Sequence, residues 1–342
     1  SMYFTPDTDL PAGCHEVTFR VKEINGEQPL FAADDAQSKR VKLYTEDMGR
    51  DKVLLESFTG TWCGYCPSAH KSIEALMEGR DDIVLLSNHG SDALSCEASE
   101  AYCVFTNYFP ASFYDRYAGY GATSLGYISI DKAKQQPSLA KLAIQAEYDE
   151  NSRNAYITIV GEKNAEFDLV EQYANLTVLL TEDSIVAPQA DFIEEVTHYD
   201  YIHNGVLRQN LSDIWGDPVS WDGNKFEMRY TIKLNDGWVK DNMNVVAFLA
   251  KPFTGSNYEE IGLVNCNDFM LRNADQTNGI INVQESPTVI VRAEGRRFVV
   301  NGDYVSMKVY TTDGKTVQNS NLPCGMYIIK VQTKNGVITK KA

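Results

Sequence analysis

Apolar positions follow two different rhythms along this chain. Up to about residue 136, short continuous apolar runs alternate with helical stripes. Val53-Leu54-Leu55-Glu56-Ser57-Phe58 and the run from Ile83 to Ser87 are nearly unbroken, the pattern of strands buried on both faces of a parallel sheet. Between them Cys66, Ala69, His70, Ile73, Leu76 and Met77 recur at three- and four-residue spacing. That stripe predicts a helix over Cys63 to Glu78, with His70 bordering its packed face. Leu94 to Tyr108 reads as a helical insertion.

From about Pro137 the period becomes two. Leu142, Ile144, Ala146 and Tyr148 alternate, as do Tyr156 to Val160, Leu176 to Leu180, Phe226 to Leu234 and Val245 to Leu249. Asp222-Gly223 and Asn235-Asp236-Gly237 punctuate them. Many short strands with such turns predict an antiparallel sandwich, with Trp215, Trp221 and Trp238 as core and loop anchors. The last stretch repeats the theme in miniature. Strands are expected at Arg297 to Val300, Tyr304 to Tyr310, Met326 to Val331 and Val337 to Lys340. Turns are expected at Glu294-Gly295, Asn301-Gly302, Asp313-Gly314 and Asn335-Gly336. At the other end, strands at Glu16 to Ile24 and Arg40 to Thr45 flank an Asn25-Gly26 turn and an acidic loop at Asp34-Asp35. The chain thus divides into a β extension (1–46), an α/β domain (47–136), an all-β, immunoglobulin-like sandwich (137–285) and a small β module (286–342).

Charge narrows the partners. A formal net charge of −16 over 342 residues opposes nucleic acid, whose phosphates need a basic surface, and anionic membranes for the same reason. No stretch approaches the ~20 apolar residues of a membrane span. The opening residues are polar and acidic, so an export signal is expected upstream of Ser1. Ala12-Gly13-Cys14 imitates the end of a lipoprotein cleavage site but lacks the apolar run before it.

The chemistry concentrates in Thr61-Trp62-Cys63-Gly64-Tyr65-Cys66-Pro67. Two cysteines three apart at a helix start can close a small disulfide. The first would point its sulfur into solvent, where unpaired N–H groups and the helix dipole favour the thiolate. A zinc site needs about four ligands, and there is no second Cys-x-x-Cys; a Cys63, Cys66, His70 cluster or a purely structural pair are the other readings. Strand, Trp, Cys-x-x-Cys, Pro and helix resemble the layout of a thioredoxin-type redox site. Such sites hold a cis-proline opposite the cysteines, and Pro110, entering the apolar Ala111-Ser112-Phe113-Tyr114, stands where it should be.

Five other cysteines remain: Cys14, Cys96, Cys103, Cys266 and Cys324. A continuous helix would separate Cys96 and Cys103 by ~10.5 Å, against the roughly 7 Å a disulfide tolerates. Either the helix breaks between them or both are ordinary thiols. Cys266 and Cys324 read as small core residues.

Two longer resemblances follow. Glu56-Ser57-Phe58-Thr59-Gly60-Thr61-Trp62-Cys63-Gly64-Tyr65-Cys66-Pro67 resembles the redox segment of the Omp-twenty-eight-related outer membrane proteins of Gram-negative anaerobes. Tyr201-Ile202-His203-Asn204-Gly205-Val206-Leu207-Arg208 and Val245-Val246-Ala247-Phe248 resemble the same family's β-domain. Val309-Tyr310-Thr311-Thr312-Asp313-Gly314-Lys315 and Leu322-Pro323-Cys324-Gly325-Met326-Tyr327, with the closing Lys340-Lys341, are similar to the C-terminal sorting domain of type-nine secretion substrates. The resemblances imply an exported protein at the cell surface, outer membrane or periplasm of a Gram-negative bacterium.

One departure bears on mechanism. Thioredoxins place a buried carboxylate six residues before the first cysteine, and Ser57 occupies that position here. Glu56, one residue earlier, faces the other side unless the strand is bulged. The leading expectation is therefore a thiol–disulfide oxidoreductase acting on protein thiols and disulfides, with no organic cofactor. Cys63 is the attacking thiolate, Cys66 the resolving thiol, Trp62 the neighbouring lid, Pro110 the substrate-strand contact and Glu56 a weakened proton relay. The alternative is a surface adhesin that binds a surface ligand and uses the redox fold as scaffold. A third reading, copper handling by Cys63, Cys66 and His70 or His89, rests on soft-ligand chemistry alone.

Overall fold

Strands dominate the chain. The computed structural model describes residues 10–23, 25–27, 36–116, 130–258, 260–276, 290–294, 296–301, 304–311, 315–323, 325–333 and 336–341. It forms two units, Ser1–Gln276 and Thr277–Ala342.

The first unit opens with β1 (Gly13–Arg20) and β2 (Ala36–Leu43), then β3 (Val53–Thr59), α1 (Cys66–Met77), β4 (Ile83–His89), α2 (Glu97–Tyr102) and β5 (Ala111–Tyr114). There follow α3 (Ile130–Lys134), β6 (Ala140–Asp149), β7 (Asn154–Lys163), α4 (Phe167–Val170), β8 (Asn175–Glu182), β9 (Ile185–Asp191) and β10 (Val196–His203). It closes with β11 (Val206–Asn210), β12 (Asp217–Pro218), β13 (Lys225–Lys233), β14 (Met243–Ala250), β15 (Asn265–Met270) and β16 (Asp275–Gln276).

One sheet organises this unit. Its strands run β15-β14-β8-β11-β4-β3-β5, with β12 added to β8 as the eighth. β3 and β4 are parallel, and β5 is antiparallel to β3. The α/β stretch and the alternating stretch therefore hydrogen-bond in a single sheet, through Val206 of β11 against Ser87 of β4. The continuous apolar run of β3 is explained by burial on both sides. Val53 and Leu55 pack with Ile73 of α1, Ile130 of α3 and Tyr114. Leu54 and Phe58 pack with Ala98 and Tyr102 of α2, and that same core extends to Leu179, Val246 and Phe248 of β8 and β14.

The opposite faces of β8 and β14 meet a second sheet, β13-β7-β6-β16. Leu176, Val178, Leu180, Val245, Ala247 and Leu249 share a core with Leu142, Ala146, Ile157, Ile159 and Trp238. Period-two alternation in β6, where Leu142, Ala146 and Tyr148 are buried and Lys141, Ala143 and Glu147 exposed, is the signature of a sheet wetted on one side. The expected sandwich layering is met. Trp221 packs against this core and Trp215 against the other.

Two buried ion pairs pin the end of β5. Asp115 and Arg116 are consecutive residues with φ of 49° and 56°, and this left-handed turn sends their side chains to different partners. Asp115 pairs with Arg50 and accepts the N–H of Leu54 at 2.9 Å. Arg116 forks onto Glu56 at 3.0–3.2 Å and lies over the rings of Tyr102 and Phe248 at 4.4 and 4.7 Å.

Several expected boundaries shift. α1 starts at Cys66, leaving Cys63 in the preceding turn. The insertion is shorter than expected: α2 covers six residues and a 3-10 turn follows at Cys103–Phe105. Cys96 and Cys103 cap α2 at its two ends as free thiols, the ordinary-thiol alternative. β1 pairs with β2 from Gly13↔Leu43 to Arg20↔Ala36, a few residues earlier than the strands expected there; Asn25-Gly26 lies in the turn region. The acidic loop at Asp34-Asp35, Cys324, Thr312, Asp313 and the turn glycines Gly295, Gly302 and Gly314 lie outside the described residues, as does Asn335.

In the second unit β17 (Ile290–Glu294) pairs with β18 (Arg297–Asn301). β19 (Ser306–Thr311), β20 (Thr316–Val317), β21 (Tyr327–Thr333) and β22 (Gly336–Lys341) form a sheet ordered β20-β19-β21-β22. Phe298, Val309, Tyr327, Ile329 and Val331 make its core. Among the described residues no helix is long and apolar enough to cross a membrane.

Candidate functional site

The end of β3 delivers the cysteines. Past Thr59 the chain turns tightly: Cys63 N–H donates to Gly60 O at 2.9 Å and Cys66 N–H to Cys63 O at 3.1 Å. Pro67 fits at the start of α1, where a helix has no use for the missing N–H. Cys63 and Cys66 are joined in a disulfide with Cα atoms 5.4 Å apart. An oxidised pair offers neither sulfur as a metal thiolate.

Trp62, next to Cys63, meets Phe109, the residue before Pro110. The Trp62 indole N–H donates to Gly90 O at 2.9 Å, and its ring stacks on Phe109 at 5.6 Å and 17°. The Phe109–Pro110 peptide bond is cis, the isomer expected at Pro110. Gly60 and Gly90 make room for this: a Cβ at Gly60 would stand 2.8 Å from the indole nitrogen, and one at Gly90 3.0 Å from both Cys103 Sγ and the Phe109 ring.

Glu56 is not brought to the cysteines. The β3–β4 register runs unbroken from Val53 to Thr59, so alternation turns Glu56 to the α2 side, where Arg116 holds it. Ser57, on the α1 side, has a buried hydroxyl without a hydrogen-bond partner. The carboxylate that does reach the loop is Asp92. It accepts the Thr61 N–H at 2.7 Å and binds His89 Nδ1 at 2.8 Å. Burial works to raise its pKa, but the His89 contact and the backbone donors hold it below the usual carboxylate value.

The expectation that Cys63 presents its sulfur to solvent is overturned. Cys63 is 4% exposed and Cys66 is fully buried, because the β9–β10 hairpin lies over the loop. Ala190 N–H donates to Thr61 O at 2.8 Å and Phe192 N–H to Gly64 O at 2.9 Å. The Gln189 side-chain amide donates to Cys63 O at 2.9 Å and Gly60 O at 3.2 Å. Phe192 sits against Gly64, with Tyr65 edge-on at 5.7 Å.

Three histidines gather at the root of this hairpin. His203 of β10 lies 5.2 Å from His89 and 6.3 Å from His70, ring to ring. His70 bonds Thr59 Oγ1 at 2.9 Å and the Tyr201 hydroxyl at 3.0 Å. Burial, reinforced by the neighbouring imidazoles, pushes His70 down to about 3 and His203 to about 4. Neither ring nitrogen of His203 makes a well-formed hydrogen bond, although the backbone at Ala187 and Pro188 favours its charged form. All three line a cavity of about 650 Å³ beside α1. A different trio, Asp191, Glu194 and His198, is the metal-ligand grouping found among the described residues. Glu194 is already shared with Lys71 at 3.6 Å.

Reading the sequence alone missed Gln189, Phe192 and Asp92. Most of β10 is exposed and the buried positions of β9 are the polar Gln189 and Asp191, so the hairpin carries no clean apolar alternation. Its one local signal is the acidic Glu194-Glu195 turn.

Residues 106–257 match the family model for Outer membrane protein Omp28, as the sequence resemblance implied. This agrees with an exported protein of the Gram-negative envelope. No curated protein matches the chain. Among solved structures, HBP35 of Porphyromonas gingivalis is similar at 21% identity and a TM-score of 0.58, covering 86% of this chain and 99% of that one; it shares the fold. A domain of the outer membrane lipoprotein Omp28 from the same organism aligns at 17% identity and a TM-score of 0.27, over 41% of this chain and 91% of that one.

Proposed function

We propose that the chain is an exported, thioredoxin-like thiol–disulfide exchange protein working through Cys63 and Cys66. The observation that carries this reading is the oxidised pair at the start of α1, with the adjoining Trp62 stacked on Phe109 of the cis Phe109–Pro110 bond. In this reading residues 47–136 are the redox domain, 137–285 an immunoglobulin-like sandwich fused to its sheet, and 286–342 a sorting-type module. The match to an outer membrane protein family supports an outer-membrane location.

The exchange runs in two displacements. A client thiolate attacks Cys63 Sγ, forming a mixed disulfide and expelling Cys66 as thiolate. A second client thiolate then attacks the client sulfur of that mixed disulfide, leaving the client oxidised and both cysteines reduced. The reverse sequence, begun by the Cys63 thiolate, reduces a client disulfide. Trp62 and Pro110 position the client chain, and Asp92 holds the Thr61 end of the loop.

The reduction potential, measured by glutathione equilibration and thiol labelling, tests this. A value between about −120 and −270 mV supports exchange; one below about −300 mV marks a structural disulfide. The second reading, a surface binding module on a redox scaffold, is favoured by one observation, the covered state of Cys63. It expects normal ligand binding by a Cys63→Ala, Cys66→Ala double variant.

A further inference from the structure

The β9–β10 hairpin covers the disulfide with an extended strand. Ala190 N–H and the Gln189 side-chain amide of β9, and the N–H of Phe192 just past its end, donate to the carbonyls of Gly60, Thr61, Cys63 and Gly64. These four consecutive-turn acceptors surround Cys63. Phe192 then fills the surface over Gly64, where a Cβ would stand 2.1 Å from its ring. Backbone donors plus one seated side chain is how an extended peptide is recognised by a protein surface.

The hairpin is built to leave. Its two strands pair with each other and form a sheet of their own. It joins the body at Ser184 and Gly205, both with positive φ (60° and 63°). Phe192, Val186 and Tyr199 remain 60–77% exposed, so little apolar area is lost when its tip lifts from the loop while Tyr201 and His203 stay packed on His70 at its root. Cys63 is 4% exposed and Cys66 fully buried, so exchange with a protein thiol requires the segment over the loop to move.

We infer that β9 is an internal stand-in for the client: an extended polypeptide segment with an aromatic or large apolar side chain displaces it from the Gly60–Gly64 carbonyls. This rests on the exchange reading for its purpose, but the displacement itself does not depend on turnover. The hairpin makes the pair selective for strand-like, incompletely folded chains over small thiols and compact proteins.

The test measures the rate at which a phosphine reductant opens Cys63–Cys66 in the full chain, by acid quench and thiol labelling. The Gln189→Ala, Phe192→Ala variant is expected to react at least tenfold faster than the parent. Hydrogen exchange over β3, β4 and β14 should be unchanged, which shows that the body is folded. A capped peptide of residues 187–193 added to this variant should slow reduction saturably, and the same peptide with Phe192→Ala should not. Equal rates in variant and parent would overturn the inference, because the hairpin would then be no barrier. Acceleration with no protection by the peptide would also overturn it, because the loop would not read an extended chain. A potential outside the exchange range would sink the proposed function while leaving these rates as they are.

Discussion

Phe192 occupies the space that a side chain on Gly64 would need: a Cβ there would meet its Cγ at 2.1 Å. Gly64, between the cysteines, is thus coupled to a hairpin turn more than a hundred positions away. Gly64→Ala should force Phe192 off the loop. The clash falls on a surface hairpin that can shift, so the global cost is at the low end of the ~1–3 kcal/mol typical of overpacking. Faster hydrogen exchange at the Ala190 and Phe192 amides, with the body of the sheet still protected, is the expected result. Unchanged protection would mean the ring adjusts in place.

Arg116 and Glu56 form a pair buried from both sides. Glu56→Ala leaves a guanidinium without its carboxylate among Tyr102, Phe105 and Phe248, a situation that costs about 3–5 kcal/mol. Chemical denaturation should show a loss of that size. Glu56→Ala combined with Arg116→Met should recover much of it. Because Glu56 faces α2, the reduction potential of the surviving folded fraction should match the parent. A shifted potential would restore Glu56 to the proton relay that the sequence suggested.

How far the sequence carried these conclusions depends on the kind of signal. Burial on both faces of β3 and the one-sided wetting of β6 are local periodicities, and both were legible. The cis bond at Pro110 followed from the motif's layout. The union of both stretches in one sheet was not legible, because it hangs on Val206 meeting Ser87, a long-range pairing with no local trace. The covered state of Cys63 was missed for a related reason. Gln189 acts through its side-chain amide on loop carbonyls and Phe192 through its N–H and a glycine's missing side chain, and neither leaves a periodic mark.

The disulfide should also contribute to stability. A bridge between residues three apart closes a very short loop, for which the chain-entropy relation gives about 2 kcal/mol. Reduction of the parent, or the Cys63→Ala, Cys66→Ala variant, is expected to lower unfolding free energy by roughly that amount in urea. A loss several times larger would mean that the pair organises the hairpin as well as the loop.

Acid should act through the histidines. In the unfolded chain His203 takes up its proton near 6.5; in the fold it stays neutral down to about 4, and His70 down to about 3. Between those values the unfolded state binds more protons, so stability is fully present above about 6.5 and drains as pH falls toward 4. Asp115, whose burial pushes its carboxyl up to about 6 against the pull of Arg50, works in the opposite sense over part of this window. The informative quantity is therefore a difference between variants that share Asp115. His203→Gln removes one titrating ring from the face shared by His70, His89, Tyr201 and Asp92, and should flatten the decline between pH 6.5 and 4 by on the order of 2 kcal/mol. Urea midpoints at pH 7.5 and pH 4.5 for both proteins measure it. Parallel declines in the two would place the acid sensitivity in carboxylates instead of the imidazole cluster under the hairpin.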